Sequence, residues 1–339
     1  MINKFLKWCA LIVLLAVVAV AAGLFFWSNQ PLIGANQTAI AFAIEPGSGV
    51  RSIAEQVNRQ TLQKQVAVNP LLLEMLARAT DKATKLKAGN YELKPGATPM
   101  GLLSQMTRGE FAQESLAIIE GWTFKQMRQA IAQHPALKHD TVALTDADLL
   151  AKITTNFTVP EGLFFPDTYL FGKGVSDLTI YRQAHSTLLK KLDTAWQKRN
   201  VTLPYKTAYE ALTMASIIEK ETGQRGERGM IAGVFVNRLR NGMLLQTDPT
   251  VIYGMGEKYR GTIYKSDLLR DTPYNTYTRA GLPPSPISLP GKAALNAALN
   301  PEKTEALYFV ARGDGSSVFS NDLPAHNRAV NQYQRMSSR

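Results

Sequence analysis

The chain has 339 residues, enough for one large domain or two modest ones. With 45% hydrophobic and 19% charged residues and a mean hydropathy of −0.12, it is neither a disordered chain nor a multi-span membrane protein. One cysteine excludes an intrachain disulfide and a multi-cysteine zinc cluster, and 38 Lys+Arg against 27 Asp+Glu, a net +11, implies an anionic partner: nucleic acid, a membrane surface or an acidic polymer.

No Asp, Glu, Lys or Arg occurs between Trp8 and Ile44, and Trp8–Trp27 is almost wholly apolar. As a helix this run spans the ~30 Å hydrocarbon core of a bilayer. Lys4 and Lys7 precede it and the next basic residue is Arg51, which keeps the N-terminus cytoplasmic and sends the rest across. Ala19-Val20-Ala21 offers a signal-peptide cleavage site, but the apolar run continues through Leu24–Trp27, which favours an uncleaved anchor. A body working outside the cytoplasm makes nucleic acid an unsuitable partner.

Asn29–Gln37, uncharged and carrying Pro31 and Gly34, reads as a tether. Three echoes follow. Ile40–Ile44, Tyr91–Leu93 and Leu116–Ile119 are each a short strand pattern. They lead into Pro46-Gly47, Pro95-Gly96 and Glu120-Gly121, and then into amphipathic helices through Ile53, Leu102 and Met127. These strand–glycine-turn–helix units predict a small α/β region over about 39–155, reminiscent of LysM glycan-binding modules. The second half reads as helix-rich. It has a helix that Asp177 could cap, a second near Thr207–Thr222, and a third over Met230–Arg240 that stops at Asn241-Gly242. Six of the 17 prolines fall between Pro273 and Pro301, making Thr272–Pro290 irregular, and a hairpin over Leu307–Phe319 turns at Gly313-Asp314-Gly315.

There is no GxSxG elbow, Ser-x-x-Lys or P-loop, and His134, His139, His185 and His326 lack metal-ligand spacing, so neither metal nor cofactor is expected. On a helical wheel Glu219 falls on the apolar stripe with Ala208, Leu212 and Ala215, while Glu210 and Glu221 point the other way as solvated glutamates. A carboxylate on an apolar face is either held protonated, as a general acid requires, or paired with an arginine such as Arg225, Arg228 or Arg238. Asn237-Arg238, Gln246-Thr-Asp248 and Tyr274-Asn275-Thr-Tyr277 then mix amides, carboxylates and aromatics on non-periodic segments, a mixture suited to sugars.

Ala215-Ser-Ile-Ile-Glu219-Lys-Glu-Thr222, Phe235-Val-Asn-Arg-Leu239, Leu245-Gln-Thr-Asp-Pro-Thr-Val251, Tyr274-Asn-Thr-Tyr277 with Gly281-Leu-Pro-Pro284, and Glu161-Gly162 with Phe165-Pro-Asp-Thr-Tyr169 resemble, in order, the blocks of the YceG-like family. The resemblance implies an α+β protein: a cytoplasmic tail over 1–7, a transmembrane helix over 8–27, a linker over 28–38, a LysM-like α/β region over 39–155 and a helix-rich mixed catalytic domain over 156–339. It further implies a single-pass inner-membrane lytic transglycosylase, its catalytic domain periplasmic, that cuts nascent peptidoglycan strands endolytically, leaving 1,6-anhydro-MurNAc ends. Penicillin-binding proteins and other wall synthases are the implied partners. By its place in the Glu-Lys-Glu-Thr block Glu219 takes the catalytic role, with Gln246, Asp248, Asn275, Tyr277, Glu161 and Asn237 binding substrate. A hydrolytic muramidase or a non-catalytic glycan-binding scaffold are the alternatives. The chain departs from the family at Gly315-Ser-Ser-Val-Phe319, where many members carry a histidine; His326-Asn327 matches.

Overall fold

The alternation Ile40-Ala-Phe-Ala-Ile44 becomes a strand with every second residue buried in the computed structural model, which describes residues 2–62, 66–221 and 224–335. Thr222, closing the Glu-Lys-Glu-Thr block, and the side chain of Arg225 lie outside the described residues. Two units divide the chain: residues 1–114 with 171–173, and residues 115–170 with 174–339.

The first unit opens with α1 (Ile2–Ser28), whose span Phe5–Ser28 is long and apolar enough to cross a membrane. Strand β1 (Ile40–Ile44), helices α2 (Val50–Thr61) and α3 (Pro70–Ala79), strand β2 (Gly89–Leu93) and helix α4 (Pro99–Arg108) follow. β1 and β2 pair antiparallel, Phe42 opposite Tyr91, and their rings stack at 5.7 Å over a core containing Ile53, Val57, Leu73 and Met106. The helix starts are written locally. Asn69 accepts the N–H groups of Leu71 and Leu72, Thr98 accepts that of Gly101, and Pro70 and Pro99 occupy the first turn, where a missing N–H is harmless. The expected tether is folded onto this unit, because Leu32 donates its N–H to Ala97 O at 2.7 Å and Ile33 is buried in the core.

Next along the chain, β3 (Gln113–Ala117), α5 (Phe124–Gln133), α6 (Asp146–Ala151) and β4 (Thr168–Gly172) repeat the strand–helix–helix–strand order, with β3 beside β4. The three glycine turns seen in the sequence share one backbone geometry: Gly47, Gly96 and Gly121 have φ of +79°, +76° and +78°. Two residues after each comes the helix N-cap: Gly49, Thr98 or Thr123. A left-handed residue there turns the chain without a Cβ clash.

Helix α7 (Asp177–Gln197) buries Ile180, Tyr181, Ala184, Leu188 and Leu192 at helical spacing. Its N-cap is Ser176, one residue before the expected Asp177. The Asp177 carboxylate instead ties down a neighbouring loop, accepting Thr141 Oγ1–H at 2.8 Å and the N–H groups of Asp140 and Thr141. Then come α8 (Ala208–Glu221), α9 (Arg228–Arg240), α10 (Asp248–Met255) and α11 (Lys265–Leu269). The proline-rich stretch 272–290 holds no regular element, and α12 (Lys292–Leu299) packs on α8. Strands β5 (Tyr308–Ala311) and β6 (Ser317–Ser320) form the expected hairpin, and α13 (Leu323–Val330) lies against it.

Candidate active site

Residues 211–218 of α8 are all buried, so this helix is covered on every side and its C-terminal end delivers two carboxylates into different surroundings. Glu219 is locked. Its Oε1 accepts from Arg228 Nη2 at 2.9 Å and its Oε2 from the Gly291 N–H at 2.8 Å, with only 5% of the Glu219 side chain and 8% of the Arg228 side chain exposed. Burial raises its pKa, against which the Gly291 N–H and the Arg228 charge act. Gly291 is the N-cap of α12 and Arg228 opens α9, so this carboxylate joins three helix ends. Of the arginines considered from sequence, Arg228 is the partner found.

Glu221 departs from its expected place in solvent. The segment after α9 alternates in exposure: Leu245 and Thr247 are buried, Gln246 and Asp248 face out. Thr247 thereby covers the helix end and donates its hydroxyl to Glu221 Oε1. Burial pushes the Glu221 carboxyl above the usual range and the nearby Asp248 charge adds to the rise; Thr247 and the more distant Arg238 charge oppose it.

Glu221 opens onto a cleft of about 620 Å³ whose walls include Gln246, Asp248, Tyr277, His326 and Asn327. Tyr277 donates its hydroxyl to Asp248 Oδ1 at 2.6 Å. Gln246 sits at φ +52°, a left-handed conformation uncommon for a side-chain-bearing residue, with its N–H on Thr276 O at 3.1 Å. Arg238 braces the wall, donating from Nε to Leu307 O at 2.7 Å and from Nη1 to Leu245 O at 2.8 Å. The Arg238 guanidinium lies 5.1 Å from the centre of the Tyr308 ring, on which the His326 imidazole stacks at 5.2 Å. Burial and the Arg238 charge lower the His326 pKa, so its ring is neutral near pH 7.

Three of the residues expected to bind substrate, Gln246, Asp248 and Tyr277, therefore meet in one cleft. Asn275 and Asn237 do not line it. Asn275 donates to Leu268 O at 3.0 Å and Arg270 O at 2.7 Å and accepts the Tyr277 N–H at 2.8 Å, fixing the loop that presents Tyr277. Asn237 donates to Thr304 O at 2.8 Å and Ala306 O at 3.1 Å, holding the segment before β5 on α9.

Glu161 lines a second cleft, of about 700 Å³. It is 4% exposed, accepts the Phe124 N–H at 2.9 Å and the Tyr253 hydroxyl, and burial pushes its carboxyl up to about 7. Sequence reasoning passed over Glu221 because a wheel assumes one solvent face. The signal against that assumption was the uncharged run Ala211–Ile218, which marks a helix buried all round.

Residues 42–332 match the YceG-like family. The endolytic murein transglycosylase of Bacillus subtilis is 31% identical, the match covering 90% of this chain and 87% of that protein. The endolytic murein transglycosylase of Streptococcus pneumoniae serotype 2 is 29% identical over 90% of this chain and 60% of its own length. Among solved structures, a yceG-like protein from Listeria monocytogenes is 33% identical with a TM-score of 0.52, covering 86% of this chain and 99% of that one.

Proposed function

The chain belongs to the YceG-like family, and from that premise we propose that it is a peptidoglycan lytic transglycosylase that cuts glycan strands internally and uses Glu221 as its acid and base. The observation that carries the residue assignment is the contrast between the two glutamates. Glu219 is bound on both oxygens by protein donors, whereas Glu221 faces a sugar-sized cleft and burial raises its carboxyl above the usual range.

Protonated Glu221 donates to the oxygen linking MurNAc to GlcNAc as that C–O bond breaks. The carboxylate then accepts the proton of the MurNAc C6 hydroxyl as O6 bonds to C1, closing a 1,6-anhydro ring and restoring the acid. No water is consumed, so one carboxylate serves both steps where hydrolysis calls for two. Asp248, carrying the Tyr277 hydroxyl, supplies negative charge beside the oxocarbenium-like sugar, and Gln246, His326 and Asn327 offer neutral hydrogen-bonding groups to its hydroxyl and acetamido substituents.

The order β1–α2–α3–β2, with a cleft to whose lining Arg51, Ser52, Glu74 and Thr84 contribute, supports a LysM-like glycan-binding role for the first unit. The apolar α1, preceded by Lys4 and Lys7, supports a single-pass inner-membrane anchor with the body in the periplasm, beside the wall synthases whose strands it would cut.

The test is digestion of nascent-type glycan by the full-length wild type, Glu221→Gln and Glu219→Gln, reading product masses and thermal melts. Glu221→Gln lowers turnover by roughly 10²–10⁴ with the melt unchanged. Products lacking one water identify a transglycosylase; reducing MurNAc ends identify a muramidase, with Asp248 holding the water. Undiminished turnover in Glu221→Gln with loss in a still-folded Glu219→Gln returns the role to Glu219. A wild type that binds glycan without cutting it is a scaffold.

A further inference from the structure

The second cleft is not needed by the mechanism above, yet it is built from the same elements as the first. Consecutive residues of α8 divide between them, Lys220 lining the second cleft and Glu221 the first. At the start of α10 Asp248 faces the first and Pro249 the second. Because neighbouring Cα atoms are only ~3.8 Å apart, the two clefts share a wall.

Its chemistry differs from that of the glutamate cleft. The far side comes from the second strand–helix–helix–strand element, where Phe124 starts α5 and Val159-Pro160 lead toward β4; Ile252, Tyr253 and Ile287 form the near side. The first cleft is lined more heavily by polar groups, among them Glu221, Arg238, Gln246, Asp248, His326 and Asn327. Aliphatic and proline surface in the second cleft suits methyl-bearing peptide better than a sugar rimmed with hydroxyls. Its charged groups sit around that surface: Lys220 donates to Gly121 O at 3.3 Å, Lys125 pairs with Glu257 across the mouth, and buried Glu161 lies at the base. The Lys125–Glu257 pair is exposed on both sides and so is easily opened.

Resting on the transglycosylase reading, we propose that this second cleft binds the stem peptide, the short acidic peptide amide-linked to the sugar held beside Glu221. The reach fits: four or five extended residues span ~13–18 Å, enough to pass from one side of the shared wall to the other. Cleavage is thereby tuned to strands that still carry peptides, which is a selectivity a glycan cleft alone does not supply. Protonated Glu161 presents a hydrogen-bond donor, and ionised Glu161 an acceptor, to the peptide's amides.

The experiment uses the full-length protein and one glycan preparation in two forms, with stem peptides and after an amidase has removed them. Wild type is expected to show a kcat/KM about tenfold higher on the peptide-bearing form. Ile252→Trp and Val159→Trp, filling the cleft from opposite sides, are expected to bring the two rates together, mainly through KM, with thermal melts as the folding check. Equal rates in wild type, a preference that survives both substitutions, or an equal loss on both substrates (the mark of a sugar subsite) overturns the proposal. If neither substrate yields anhydro product, it is the transglycosylase reading that has failed. Titration of wild type with a synthetic fluorescent stem peptide then still decides whether the cleft takes peptide, and absence of saturable binding overturns it.

Discussion

Glu219 and Glu221 stand two residues apart on one helix, and their neighbours give them opposite work. Replacing Glu219 by Gln leaves the Arg228 guanidinium buried without its counter-charge, a loss of roughly 3–5 kcal/mol by analogy with broken buried pairs. A lowered melting temperature is the expected reading for that variant, in contrast to the unshifted melt of Glu221→Gln. Glu161 makes a pH prediction of its own. Its carboxyl rises from 4.5 unfolded to about 7 folded, because burial penalises the charged form. Between those values the folded state holds the proton and the unfolded state does not. Stability is therefore full below pH 4.5, falls as pH rises toward about 7 and is flat above, a change of about 3 kcal/mol for a shift of this size. Urea unfolding of wild type across that window should show the decline, to which the raised carboxyls of Glu219 and Glu221 also contribute, and Glu161→Gln should make it shallower by about 3 kcal/mol. An arginine partner for Glu219 was among the readings the sequence allowed, whereas the burial of Glu221 was not. The wheel identified a glutamate on an apolar stripe, but which carboxylate meets an arginine is fixed by residues as distant as Gly291 and Thr247.

Elements were more legible than partners, because strands, turns and caps are written in adjacent residues. Alternation gave β1, the repeated glycine turns gave the starts of α2, α4 and α5, and Asn241-Gly242 gave the end of α9, with Gly242 at φ +66°. Asn237 and Asn275 looked like sugar ligands since amides on irregular segments serve either purpose; their carbonyl partners are set by the tertiary fold. Gly233 in the middle of α9 shows the same limit. Helix propensity alone makes Gly→Ala there favourable by about 1 kcal/mol. A Cβ at this position would sit 2.7 Å from Glu302 O and 2.7 Å from Thr304 Cγ2, where the chain crosses the helix. Backbone cannot yield as a flexible side chain can, so the steric term wins. Gly233→Ala should lower the melting temperature and weaken protection of the α9 and β5 amides in hydrogen exchange.

Among the described residues, the first 19 of the apolar span of α1, Phe5 through Gly23, have no protein to cover them. The whole span, Phe5–Ser28, is 24 residues long and exposed from Phe5 through Gly23, about 36 Å in all at 1.5 Å per residue against a ~30 Å hydrocarbon core. A run of that length and apolarity is sufficient to cross a bilayer, and the single-pass anchor proposed above rests on it. The last turn of the helix has a second attachment, because Leu24 and Trp27 pack on the core of the first unit and Ile33 is buried in it at 1% exposure. Anchor and unit therefore separate at a definable point. Removing residues 1–23 should release the protein from membranes, by fractionation without detergent, while leaving the first unit's proteolytic resistance intact. Removing residues 1–33 also deletes Ile33 and the backbone bonds to Gly96 and Ala97, at a cost of about 2–5 kcal/mol for the core side chain alone. Trypsin should then cut within 40–110 at least tenfold faster than in the shorter truncation, since opening scales tenfold for each ~1.4 kcal/mol lost. Equal protection of the two truncated forms would mean that residues 24–33 contribute no folding energy, and that the helix ends where its apolar run does.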